Sequence, residues 1–409
     1  MNVLRTNSSF RNLFLGKILS VFADSIIFFS LLKWIEIQST NTGAYTLFFI
    51  ANYLPVFLLA LPIGAWIANK TLKKVMTYSS VIRVIVIVLF LLLIPYLTYQ
   101  WAYVLLIMWS ILGLFFIPAN QSLLPQIVAD EHRPSANSLL QLGFTLVKII
   151  GQVFTASMIK LSISPTSLLT VSCGLIILSI LFIVQIKPVV KQVSIRKQNQ
   201  WTLMKEGISY VTNHLQLRPL FVILAIAMFI ATSVDLILIN FLTEVLGVGV
   251  ENLSYIGTAS LLGIIVGASL VPKWYKIIER KWLIVPPLFF LAFSIGCLFF
   301  ITNWLYILPV FFLQGIALGC FNVTFVTYLQ DIVAKENYTR TFSLYHMISS
   351  SMALPGILLV GGLLSSIGVI SIILYIAGTL LLLGILAIFF IPNLGKGEHS
   401  SALVKQTAT

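Results

Sequence analysis

Charge is what this sequence has least of. Only 9% of its 409 residues are Asp, Glu, Lys or Arg, where a soluble protein carries about a quarter, so a soluble globule is excluded. Acidic residues number just 12, and the four histidines, His132, His214, His346 and His399, are scattered. No HExxH, GxSxG or clustered His/Asp pattern is present, and Gly395-Lys396 is followed by Gly397 rather than by the Ser or Thr of a phosphate-binding loop. ATP hydrolysis, a metal site, a cofactor and a membrane-embedded enzyme are therefore not expected. Cysteine is equally sparse: Cys173, Cys297 and Cys320 fall inside apolar runs without metal-ligand or CxxC spacing and read as small core residues.

What the chain does have is hydrocarbon. Hydrophobic residues make up 59% of it and the mean hydropathy is +1.03. Apolar runs of about 20 residues, each long enough to cross about 30 Å of bilayer core, recur along the whole length. The run from Phe10 to about Ile37 is too long for a signal-peptide core and reads as the first membrane helix. Bounded by Pro, Gly, Asn and charged residues, the spans are placed at 11–37, 43–68, 75–97, 102–125, 137–160, 165–187, 218–244, 252–274, 281–302, 304–329, 340–366 and 369–392. The expectation is an all-α integral membrane protein with twelve transmembrane helices.

Twelve spans put both termini on one side, and the distribution of Lys and Arg says which. Of the 25 basic residues, 20 lie on the terminal side of the predicted topology, only Lys160 lies in an opposite loop, and Lys17, Lys33, Arg83 and Lys148 lie within spans. Both termini are expected in the cytoplasm and the chain in a plasma membrane, with a bacterial one suiting its basic loops. The same dispersal argues against nucleic acid as the target of the +13 net charge, because a binder gathers its basic residues on one soluble face.

The connection from Lys187 to Leu217 is long, basic and polar, and it divides the spans six and six. Residues 1–187 are read as an N-terminal six-helix bundle, 188–217 as a cytoplasmic linker, 218–392 as a C-terminal six-helix bundle and 393–409 as a cytoplasmic tail. Within the linker, Trp201, Leu203, Met204, Ile208, Tyr210, Val211 and Leu215 alternate with Lys205, Glu206 and Asn213, which suits an amphipathic helix on the membrane face as well as a merely solvated linker. The halves look related: Ser20-Val21-Phe22-Ala23-Asp24-Ser25-Ile26 in span one matches Ala231-Thr232-Ser233-Val234-Asp235-Leu236-Ile237 in span seven. Pseudo-symmetric parallel halves with a central site are the architecture of a secondary transporter.

An ionisable side chain near mid-bilayer costs about 2.5 to 3.5 kcal/mol on insertion scales, so those retained face a partner or a watery cavity. Asp24 and Asp235 are the deepest carboxylates and the candidates for proton coupling, Asp24 foremost, since a carboxylate in such a cavity can take a proton on one side and release it on the other. The competing reading for each is a structural hydrogen bond or ion pair between helices. Arg83 and Lys148 lie eight or more residues from the nearest span end and are the candidate contacts to carboxylate or phosphate groups of a cargo. Lys33 and Glu36 stand three apart on one helical face, with an interfacial ion pair set against a gating or cargo-binding role. Lys17 lies two turns below Asp24, where it either snorkels to the cytoplasm or neutralises that carboxylate. Tyr53 is a further candidate for the pocket wall. Four basic groups (Lys17, Lys33, Arg83, Lys148) against three acidic ones (Asp24, Glu36, Asp235) tilt the path toward an anionic, zwitterionic or neutral cargo.

Three segments resemble the major facilitator superfamily, and within it the branch of macrolide-efflux permeases and bacterial metabolite and siderophore exporters. They are Phe10-Arg11-Asn12-Leu13-Phe14-Leu15-Gly16 with Ser20 and Asp24, then the stretch from Phe116-Ile117-Pro118-Ala119-Asn120-Gln121 through Ser135-Ala136-Asn137-Ser138-Leu139, and Leu329-Gln330-Asp331-Ile332-Val333 with Thr339-Arg340-Thr341-Phe342. The resemblance implies two six-helix bundles working by alternating access, with a proton gradient driving export of a small molecule held at the bundle interface. Two departures stand out. The superfamily's loop between helices two and three reads roughly GxLaDRxGRR, whereas here Asn69 takes the acidic position before Lys70, Lys73 and Lys74, so the cytoplasmic gate must be held differently. Drug antiporters tend to a Gly-Pro bend in helix five, whereas Gly151-Gln152 stands here with Lys148 one turn earlier. The expected function is proton-coupled efflux of an anionic or zwitterionic metabolite such as a metallophore, by a monomer whose partners are cargo, protons and lipid. A macrolide or multidrug antiporter and a lysophospholipid or glycolipid flippase are the alternatives.

Overall fold

A computed structural model describes residues 2–39, 43–67, 70–129, 133–187, 208–279, 281–333 and 338–391. Every regular element among the described residues is a helix, with no strand among them. The helices are α1 (Asn2–Thr6), α2 (Ser8–Gln38), α3 (Gly43–Ile67), α4 (Leu72–Leu93), α5 (Trp101–Ile127), α6 (Arg133–Lys160), α7 (Pro165–Val184), α8 (208–213), α9 (Leu217–Ala231), α10 (Val234–Asn240), α11 (Asn252–Ile277), α12 (Lys281–Cys297), α13 (Ile307–Ile332), α14 (Tyr338–Ser351), α15 (Ala353–Ile367) and α16 (Val369–Phe390). Eleven helical stretches are long and apolar enough to cross a membrane, and α5 adds a shorter apolar stretch, Trp101–Ile117, inside its 27 residues. The protein is a multi-pass membrane protein, because backbone groups in hydrocarbon must bond within their own helix.

The chain divides into two compact units, Met1–Lys197 and Gln198–Thr409. In the first, α2 packs on α6 and α7, α3 on α5, and α4 on α5 and α7. Helix α2 starts where Asn7 caps it, its side chain accepting the Phe10 N–H at 2.9 Å. The Asn7 amide also donates to the Ile127 carbonyl at 2.6 Å, tying the chain's start to the end of α5. Near that end lies an apolar core built from Phe10, Leu13, Met76, Phe116 and Leu123. In the second unit α11 packs on α13, α12 on α13 and α16, and α9 on α14, α15 and α16.

Two spans that read as continuous in the sequence are broken. The seventh stops at Ala231 and resumes at Val234, then ends in a π-helical turn over Phe241–Val245. Thr232 Oγ1 donates to the Met228 carbonyl and Ser233 Oγ to the Phe229 carbonyl, at 2.9 and 3.1 Å, and such back-bonding bends helices. Gly356 of α15 packs against that same Phe229 carbonyl, where a Cβ would collide. The eleventh span is interrupted at Met352, between α14 and α15. The tight junction of α15 with α16 is made by Gly368 at φ 74°, in the left-handed region.

The segment 188–207, which holds most of the expected amphipathic linker helix, lies outside the described residues. Its continuation α8 buries Val211 and exposes Ile208, and Leu215 in the turn after it is exposed.

A candidate proton and cargo site

The deepest ionic group among the described residues of the first unit is Arg83, midway along the apolar helix α4 and 3% exposed. Its guanidinium lies 4.4 Å above the ring of Trp109 and 5.7 Å from that of Phe116, both on α5. On its other side Nη1 reaches Ser20 Oγ at 3.3 Å and Asp24 Oδ1 at 3.5 Å, both on α2. Trp109 Nε1 donates to the same Oδ1 at 3.0 Å. Three helices thus converge on one charge pair, and the indole contributes twice, with its face to the cation and its N–H to the anion.

The cluster is incompletely satisfied. At 3.5 Å the Arg83–Asp24 contact exceeds the 2.7 to 2.9 Å usual for a charge-assisted bond. Arg83 Nε is buried and has no hydrogen-bond partner among the described residues, although a guanidinium carries five donors. Gly113 makes room for it: a Cβ there would sit 3.0 Å from Arg83 Nη2. The Asp24 side chain is 40% exposed. Asp24 and Arg83 border a cavity of about 230 Å³ whose wall includes Phe28, Asn52, Trp109 and Ser110. The Ser110 hydroxyl donates to the Asn52 carbonyl at 2.7 Å, joining α3 to α5 across it.

Asp24 and Arg83, read from the sequence as proton carrier and cargo contact, are brought together as one pair. Lys17 has another neighbour: its ammonium lies 5.5 Å from the Phe144 ring centroid on α6. Lys33 and Glu36 form an ion pair at 2.5 Å. Tyr53 is half-buried beside the cavity residue Asn52, and Lys148 is half-buried on α6 and absent from the cavity wall. Asp235 is exposed in the first turn of α10. Asn69 lies outside the described residues; Lys70 covers the Trp66 ring at 5.0 Å, Lys73 is half-buried, and Lys74 is exposed. The residue that sequence reasoning missed is Trp109. Its position offered a cue, since an indole N–H deep in an apolar helix, away from the interfacial belt, calls for a buried acceptor.

A profile described as the Major Facilitator Superfamily matches residues 13–241 and again 220–407. Over 441 aligned residues the chain is 24% identical to "Uncharacterized MFS-type transporter YvqJ" of Bacillus subtilis (strain 168), with 100% of this chain and 99% of that protein covered. Among solved structures it is similar to a variant of the nucleoside transporter NupG (TM-score 0.75, 12% identity, 94% of this chain and 100% of that one). It is also similar to a variant of the peptide transporter POT in complex with sulfate (TM-score 0.74, 13% identity, 96% of each chain). A third similar structure is a bacterial homologue of the human lysosomal transporter Spinster, inward-facing and occupied (TM-score 0.69, 15% identity, 98% and 97%). At these identities the structural likeness is one of fold.

Proposed function

Because the chain belongs to the major facilitator superfamily, whose members carry small molecules across membranes, we propose that it is a proton-coupled exporter of a small zwitterionic or anionic metabolite, with Asp24 and Arg83 as its exchange site. Both termini face the cytoplasm in this reading, and the macrolide and metallophore exporters are its functional kin. The observation that carries it is the unpartnered Nε of a buried Arg83 at the edge of a cavity. A buried donor left unmade costs about 1 to 3 kcal/mol, more for a charged group, and a cargo carboxylate or phosphate entering the cavity would satisfy it.

The pair also constrains the sign of coupling. A purely anionic cargo would compete with the Asp24 carboxylate for Arg83, so protonation of Asp24 would favour its binding and proton and anion would travel together. A cargo bearing an ammonium as well as a carboxylate would replace both halves of the pair, ammonium on Asp24 and carboxylate on Arg83. Proton and cargo cation then compete for one carboxylate, which is the logic of antiport, and an inward proton gradient drives export. Efflux therefore selects the zwitterion within this class, and an amino-carboxylate metallophore has the required groups.

The test uses the purified protein in liposomes containing a pH dye, with a gradient imposed and either an amino-carboxylate metallophore or a macrolide added. Proton flux with the metallophore, absent in Asp24→Asn, which should bind it more weakly through Arg83 alone and without pH dependence, is the expected result. Undiminished uphill transport by Asp24→Asn rejects the assignment, and flux with the macrolide alone rejects the cargo class.

A further inference from the structure

A second cavity lies at the end of the first unit that carries the chain's N-terminus, far along α2 and α4 from the Asp24 pair. It measures about 610 Å³ and is walled by Ser8, Arg11 and Asn12 of α2, Lys73 of α4, and the chain around Lys187 at the end of α7. Among the described residues, three cations and no carboxylate line it. Its shape is held by the Ser9 hydroxyl rather than by the charges: the Lys187 N–H donates to Ser9 Oγ at 3.3 Å, and that hydroxyl donates to the Lys187 carbonyl at 3.3 Å. Like charges gathered without a counter-ion repel one another, and a bound anion removes the repulsion.

The surroundings indicate what kind of anion. Val184 belongs to the wall and is 50% exposed; further along the outside of α7, Leu181 and Leu178 are exposed at 55% and 43%. An apolar strip of a membrane helix therefore runs directly into a basic pocket at its end. We infer that this pocket binds the phosphate headgroup of an anionic phospholipid, whose acyl chains lie along α7. A basic pocket between helix ends at the membrane surface is suited to such a headgroup. The lipid would fasten together the starts of α2 and α4 and the end of α7, just before the chain leaves the first unit.

The experiment is native mass spectrometry of the full-length protein with phosphatidylglycerol and phosphatidylcholine of matched chains, and with inorganic phosphate as the soluble form of the same chemistry. Phosphatidylglycerol should be retained over phosphatidylcholine, and each cation removed should weaken that retention about fivefold, from the roughly 1 kcal/mol that each basic residue contributes near an anionic surface. The triple variant Arg11→Gln/Lys73→Gln/Lys187→Gln should then lose about a hundredfold, and the single variant Arg11→Gln, which disturbs the fold least, should show the first step. Lys70→Gln/Lys74→Gln removes two exposed charges outside the wall and should change retention less than twofold. Equal retention of the two lipids overturns the site, as does an equal loss in the Lys70/Lys74 variant, which would mean diffuse surface charge. Displacement of the lipid by millimolar phosphate overturns the lipid as occupant and leaves a free-anion site.

Discussion

The second and fourth helices of each half pack together, but they meet in opposite ways. In the first unit α3 and α5, bridged by the Ser110–Asn52 hydrogen bond, wall with α2 and α4 a cavity of about 230 Å³ bordered by the Asp24–Arg83 pair. In the second, α11 and α13 close to backbone contact through Gly263, Gly267, Gly315 and Gly319. A Cβ at any of these would collide with a main-chain carbonyl of the facing helix, Phe312 or Ile316 on one side and Ser260 or Ile264 on the other. Small residues at four-residue spacing let helices approach this closely in lipid, where packing rather than the hydrophobic effect drives association. The charges follow the same division. Helix α12, third in its half as α4 is in the other, carries no charge after Lys281, so it offers no basic residue at the depth that Arg83 has in α4. The first half holds a cavity edged by a charge pair and the second a close-packed glycine seam, and the coupling chemistry proposed above falls in the first.

That contrast can be broken most sharply at the charges. Arg83→Gln should reduce gradient-driven transport about a hundredfold, since a hydrogen bond to a charged group is worth up to about 3 kcal/mol, whereas Asp235→Asn should reduce it less than threefold. Equal losses at the two sites, measured in the same liposomes, would erase the distinction between the halves. Next in size is the glycine seam. Gly315→Ala should lower unfolding stability by about 1 to 3 kcal/mol, the range for overpacking, read as a fall in the midpoint of thermal unfolding. Gly113→Ala, which meets only the end of the Arg83 side chain, should leave that midpoint nearly unchanged and slow transport instead.

Trp109→Phe keeps a ring under Arg83 and removes the N–H on Asp24. Loss of a hydrogen bond to a charged group is worth about 1.5 kcal/mol or more, so transport should slow about tenfold or more, the apparent cargo affinity changing less than the turnover. Ser20→Ala removes only the 3.3 Å contact to Arg83 and should cost less than twofold. A Ser20 effect larger than that of Trp109 would mean the indole is packing and not part of the pair.

The positions of the helices were largely legible in the chain, since crossing hydrocarbon demands a length and a composition that few other structures need. The breaks at Thr232–Ser233 and Met352 were not, because hydropathy averages over side chains and does not register which hydroxyl bonds back to which carbonyl. Asp24 and Arg83 were each conspicuous as ionisable residues within spans, where charge is expensive. Their pairing was invisible: they lie 59 residues apart, and Lys17, on Asp24's own helix, was the equally reasonable neutraliser.

Amino-acid order alone therefore determined the membrane class, the helix count to within one short apolar stretch, and the handful of costly charges, because the bilayer acts as a solvent on each segment separately. Only the tertiary structure decided which charges meet, that Trp109 serves both members of the pair, that one half holds a cavity where the other holds a glycine seam, and that Arg11, Lys73 and Lys187 share a pocket. Those are properties of helix rotation and packing, fixed by the fit of side chains between helices far apart in the chain.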